Sequence, residues 1–233
     1  MESTKKFNSI VIGITTTLMF ITWHLIQDFS EKHELIKNYS LLSSIITSAL
    51  SFILSIGFYR LVFRLLSILF NKSKCFKKWI LGKTYLEGIW IGCFVGATGK
   101  KRFFYEIFTQ SLDGLMIRGY SFEEDFSPQS TWSVENAVIN PHIYGLTYTY
   151  LNDSNASTHT NLGLANFTFI LNKKEKAKEL KGYTCDLFNT KKIYSIEKKY
   201  SDNVTIEEKE NILIEEARKM YLDHEDRFRN INE

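Results

Sequence analysis

The sequence predicts a membrane-anchored α plus all-β protein: two N-terminal transmembrane helices, an eight-stranded up-and-down antiparallel β-barrel, and a C-terminal helix. Three observations carry that expectation. Two runs of 21 residues, 7–27 and 39–59, contain no fixed charge. Over 85–199 the apolar period becomes two, and over 205–229 it returns to that of a helix.

Each apolar run matches the number of residues a helix needs to cross roughly 30 Å of hydrocarbon. A cleaved secretory signal is the alternative for the first, because it follows Lys5 and Lys6. The run exceeds a usual signal core, lacks a small-x-small cleavage pattern and is followed at once by the second, so retention as an anchor is expected. Residues 28–38 between the runs are too few for a domain and read as a tight external turn. After the second run, seven Lys and Arg residues from Arg60 to Lys83 precede the next acid, Glu87. Lys and Arg beside a span stay on the cytoplasmic side, so both chain ends are expected in the cytoplasm. Residues 61–70 either continue the second helix or lie along the interface, and 71–84 reads as a basic linker, giving an anchor over 1–70.

Charge divides at the same place. Residues 1–83 carry 11 basic and 4 acidic side chains, whereas 84–233 carry 18 and 22. Basic residues beside a span contact anionic headgroups. A net acidic soluble part is poorly suited to clamping a DNA or RNA polymer, which requires neutralising many phosphates. A small ligand with one or two phosphates needs only a local cation. Cys75, Cys93 and Cys185 are odd in number, lack C-x-x-C spacing and are expected as free thiols.

The strand segments are 85–95, 102–112, 115–123, 130–139, 142–151, 162–171, 179–188 and 193–199, rich in Tyr, Phe, Ile and Thr. Between them lie turn formers such as Asp113-Gly114, Pro128 and Pro141. Consecutive hairpin-linked strands most simply close into a barrel over 85–200, which removes exposed edges; a sandwich is the structural alternative. In the tail, 204–229, Thr205 with Glu208 fits a capping box. Leu213, Ala217, Met220, Tyr221 and His224 share a face that packs on the barrel, or forms an oligomer contact.

Catalytic and metal patterns are absent from the sequence. The five histidines have no H-x-x-x-H or H-E-x-x-H spacing, and there is no G-x-S-x-G, phosphate loop or G-x-G-x-x-G. Glu123-Glu124-Asp125 sits beside Pro128 and reads as a solvated turn. A binding protein without catalytic residues, metal or cofactor is therefore expected.

Ligand-binding expectations rest on aromatic and polar residues of the strands. Gly88, Trp90 and Gly92 share one face, which suits the crowded narrow end of a small barrel, with Trp90 as core plug or ligand contact. Arg118 lies mid-strand with Tyr120 on its own face. Facing inward, its guanidinium would grip phosphate oxygens; facing outward, it would be an ordinary surface cation, and periodicity leaves both open. Tyr105, Trp132, Tyr144 and Tyr148 could stack on bases, and Thr109, Gln110, Thr147 and Thr149 add hydrogen-bonding groups. The expected ligand set is Trp90, Tyr105, Thr109, Arg118, Tyr120, Trp132 and Tyr148.

Two spans with a brief external turn, a basic stretch, then "YLEGIWIG" and "QSLDGLMIRGYS" opening an eight-strand unit, together resemble the two-transmembrane, β-strand-rich effectors of CBASS antiphage systems. The resemblance extends over essentially the whole chain. It implies that the barrel binds a cyclic dinucleotide made by a partner cyclic-oligonucleotide synthase. It also implies that the chain homo-oligomerises on activation and that its helices disrupt the bacterial inner membrane, killing the infected cell. The alternative is a membrane-tethered, lipocalin-like barrel for an apolar small molecule, which shares Gly88-x-Trp90.

Overall fold

The computed structural model describes residues 2–32, 40–154, 160–187, 191–206 and 210–232. The chain forms two compact units, Met1–Leu81 and Gly82–Glu233.

The first unit contains α1 (Glu2–Lys32), α2 (Ser40–Lys72) and α3 (Lys74–Leu81). Phe7, near the start of α1, packs edge-on against Phe63 (5.7 Å between ring centroids) and Phe70 (6.3 Å) near the end of α2, so these helices run antiparallel. Of the two readings for residues 61–70, continuation holds: α2 runs unbroken past Arg60 and Arg64. Ser73 then interrupts it, its Oγ accepting the Phe76 N–H at 3.3 Å as an N-cap for α3, so much of the basic stretch is helical. Lys6 Nζ donates to the Trp79 carbonyl at 2.6 Å and lies 4.6 Å from the centre of its ring. Segments Ser3–Asp28 and Ser51–Lys72 are long and apolar enough to cross a bilayer. Their large side chains are not consumed by packing on each other: Phe20, Phe52 and Ile53 remain 65%, 68% and 66% exposed.

In the second unit, a 3-10 turn (Gly82–Thr84) leads into β1 (Gly88–Val95), β2 (Lys101–Gln110), β3 (Leu115–Phe122), β4 (Pro128–Asn140), β5 (Gly145–Ser154), β6 (Asn161–Leu171), β7 (Ala177–Asp186) and β8 (Ile193–Ser201). Neighbours pair in chain order, and β1 pairs antiparallel with β8, so the sheet closes into a barrel rather than splitting into a sandwich. The first strand begins later than expected because Leu86 spends its backbone N–H on Gln110 Oε1 (2.9 Å), while Gln110 Nε2 donates to the Thr84 carbonyl (2.8 Å). Gly88 is confined to glycine: its φ is 138°, and a side chain there would overlap the Ser201 carbonyl.

Alternation sorts the side chains into two cores. Inside, Leu86, Trp90, Phe108, Leu115, Ile117, Leu146, Phe169 and Leu180 fill the end of the barrel where β1 begins. Outside, Ile89, Ile91, Phe103, Tyr105 and Ile196 are covered by α4 (Glu210–Asp223) and α5 (Glu225–Asn232) through Leu213, Ile214, Ala217, Tyr221 and Phe228. The expected single tail helix is thus two helices broken at His224, packed on the outer wall of β1 and β2. Of the expected capping pair, Glu208 lies outside the described residues.

Candidate ligand pocket in the open end of the barrel

Three inward glycines shape the other end. In the sheet register Gly92 lies opposite Phe104, Gly119 opposite Trp132, and Gly163 opposite Tyr150. A Cβ at any of these glycines would overlap the facing ring. Each glycine therefore lets an aromatic from an adjacent strand lie flat across the inner wall instead of standing into the lumen. What remains is a cavity of about 270 Å3, walled by Phe104, Trp132, Tyr148, Tyr150 and Phe167, with residues 96–98 of the β1–β2 turn at its mouth.

At its base sit two carboxyl groups, Glu106 and Glu197, each 1% exposed. Glu106 Oε1 accepts a hydrogen bond from Trp132 Nε1 at 2.7 Å and a long one from the Tyr148 hydroxyl at 3.5 Å. The two carboxyl groups also hydrogen-bond each other, and Asn152 Oδ1 on the same cavity wall is buried without a protein donor. Burial raises both carboxyls above the ordinary range, and for Glu197 the charge of Glu106 adds to it. Adjacent carboxylates in a low dielectric do not both ionise, so at neutral pH and above the pair keeps a proton on Glu197, whose hydrogen bond to Glu106, with those from Trp132 and Tyr148, favours the charge on Glu106. Burial, then the Glu106 charge, also lifts the Tyr148 phenol well above its usual value, keeping it a donor. Higher up, the Tyr150 hydroxyl donates to Asp186 Oδ1 at 3.3 Å. Arg102 is the cation lining the cavity among the described residues; its guanidinium meets Glu123 at 3.1 Å. The site thus combines flat apolar walls with a buried carboxyl pair and an amide oxygen that lacks a donor.

The structure brings together two of the residues expected to bind ligand, Trp132 and Tyr148, both on the cavity wall. The other five require correction. Trp90 is a plug in the closed end: it is fully buried, packs on Phe108 at 5.5 Å and donates its Nε1 hydrogen to the Leu86 carbonyl at 2.8 Å. Arg118 and Thr109 face outward and are exposed, because the inward parity of their strands belongs to Gly119 and Phe108. Tyr105 and Tyr120 are also outward, stacked on each other at 5.0 Å, with the Tyr105 hydroxyl donating to Glu210 Oε1 at 2.6 Å. Glu106, Glu197 and Asn152 went unread. For Glu106 the signal is a glutamate alternating with phenylalanines in "FFYEIF", since a charge in the middle of an apolar face is costly unless used.

No family model matches the chain, and no curated protein matches it. Among solved structures it is similar to a de novo designed fluorescence-activating β-barrel, at 16% identity and a TM-score of 0.32, over 51% of this chain and 96% of that one. At that level the likeness carries no argument about function.

Proposed function

We propose that this chain is a membrane-anchored sensor of the CBASS effector kind. In this reading its barrel binds a cyclic dinucleotide from a partner synthase, and the bound form assembles through the apolar helices and breaches the inner membrane. The protein binds rather than catalyses. The observation that carries the proposal is the cavity: an aromatic-walled opening with a buried carboxyl pair and an unpaired amide oxygen, in a chain that also bears two helices of membrane-crossing length. An apolar guest fits less well, because it would press hydrocarbon against a charged carboxyl pair and leave Asn152 Oδ1 unpaired, at a cost of about 1–3 kcal/mol for that oxygen.

The helices have means to associate. A groove of about 330 Å3 between α1 and α2 is lined by Thr16, Thr22, Ser51 and Ser55 among larger apolar residues. Small polar residues permit close helix approach, at roughly 0.6 kcal/mol per interhelical hydrogen bond, so assembly needs a further drive from the barrel. Ligand supplies that drive only by binding the assembling state more tightly. The test is full-length protein in detergent with a saturating panel of cyclic dinucleotides. A raised melting temperature together with a larger particle by light scattering is expected; no thermal shift with any member would remove the proposal.

A further inference from the structure

We infer that the Glu106–Glu197 pair is the recognition element of the cavity, and that it receives the edge of a heterocyclic base bearing an exocyclic amino group while the phosphates stay at the mouth. This rests on the nucleotide reading above and specifies which part of the nucleotide enters.

Size gives the first argument. Pockets that engulf a drug-sized ligand run from roughly 300 to 1,000 Å3, whereas this one holds about 270 Å3. A volume at the lower edge of that range holds one ring system, with the rest of a cyclic dinucleotide towards the open mouth.

Charge gives the second. Among the described residues, the polar groups facing the cavity from its base and this wall are acceptors with capacity to spare: the Glu106–Glu197 pair, whose carboxyls bond each other and carry negative charge, and Asn152 Oδ1, which has no protein donor. A phosphate brings only acceptors and negative charge, and would be repelled from a charged carboxyl pair with little water to screen it. An amino group brings two N–H donors. Adenine, guanine and cytosine each carry one, whereas uracil offers a ring N–H flanked by two carbonyls that would face carboxyl oxygens. Recognition of this sort discriminates strongly, because the wrong base sets carbonyl oxygens against buried, negatively charged acceptors.

Geometry gives the third. Trp132 is held flat by Gly119 behind it and by its hydrogen bond to Glu106, so a stacking surface is tied to the carboxyl that would read the edge. Tyr148 is backed by Phe167 at 6.1 Å, nearly parallel at 18°. At the mouth, Arg102 can exchange the Glu123 carboxylate for a phosphate oxygen without entering the cavity.

The test titrates cyclic homodinucleotides of adenine, guanine, cytosine and uracil into full-length, detergent-solubilised protein by calorimetry, for wild type and for Glu106→Gln and Glu197→Gln. At least one amino-bearing ligand is expected to bind about tenfold or more tighter than the uracil form. Either glutamine variant, checked for a native circular dichroism spectrum, should shrink that ratio to about threefold or less. Uracil binding as tightly as the others, or full discrimination retained in both folded variants, overturns the inference and leaves the nucleotide reading intact. Binding of none of the four removes both.

Discussion

Glu106 shows how a single side chain can work against stability where it serves a site. Folding strips water from its carboxyl and lifts its pKa from about 4.5 to about 7. Across that interval the folded chain binds more protons than the unfolded chain, so the contribution to stability is full below about 4.5 and is lost as pH rises through about 7. Urea midpoints of wild type and of the double variant Glu106→Gln/Glu197→Gln, at pH 5 and pH 8, should therefore differ: wild type loses stability relative to the variant at the higher pH. Equal slopes would show that the carboxyls are ionised at both. Gly119 makes a second case. Gly119→Leu drives a branched side chain into the Trp132 indole, and about 1–3 kcal/mol of destabilisation with a red-shifted tryptophan emission is expected. An unshifted spectrum would mean that the indole does not rest on that glycine.

Among the elements, α4 shows how a local pattern acquires its role from a neighbour. Its apolar stripe is readable because residues three and four apart fall on one face, but the stripe alone fits a barrel wall or another subunit equally well. The outer face of β1 and β2 decides between them: Ile89, Ile91, Phe103 and Tyr105 would be uncovered without it. Leu213, 1% exposed, should be expensive to truncate. Leu213→Ala is expected to cost about 2–5 kcal/mol and to speed tryptic cleavage at Arg218 and Lys219, followed by mass spectrometry. Unchanged cleavage would indicate that the helix contributes little to the wall. The glycine–aromatic pairs belong to this scale too, because each glycine is intelligible only with the adjacent strand in register.

For the whole molecule, the division of charge and of hydropathy falls where the chain separates into two units, and each unit is suited to a different solvent. Exposed Phe20, Phe52 and Ile53 would be a liability in water and are at home among lipid tails. The full chain should accordingly remain in the membrane pellet through alkaline carbonate washing, with release into the supernatant arguing against integral spans. The sequence by itself determined the two long apolar helices, the eight strands in order and the helical tail, though not the short α3 or the break at His224: apolar run length, the shift of period from helical to two, and turn chemistry are local quantities, and eight strands linked by short loops have few ways to avoid open edges. The tertiary structure alone decided the site. A strand's period of two marks two faces without saying which is inward, so Arg118 and Glu106 could not be sorted until barrel closure placed one in solvent and the other on the cavity floor. Glu106 and Glu197 are 91 positions apart, on strands either side of β1, and only the seam between β1 and β8 brings them together to hold one proton.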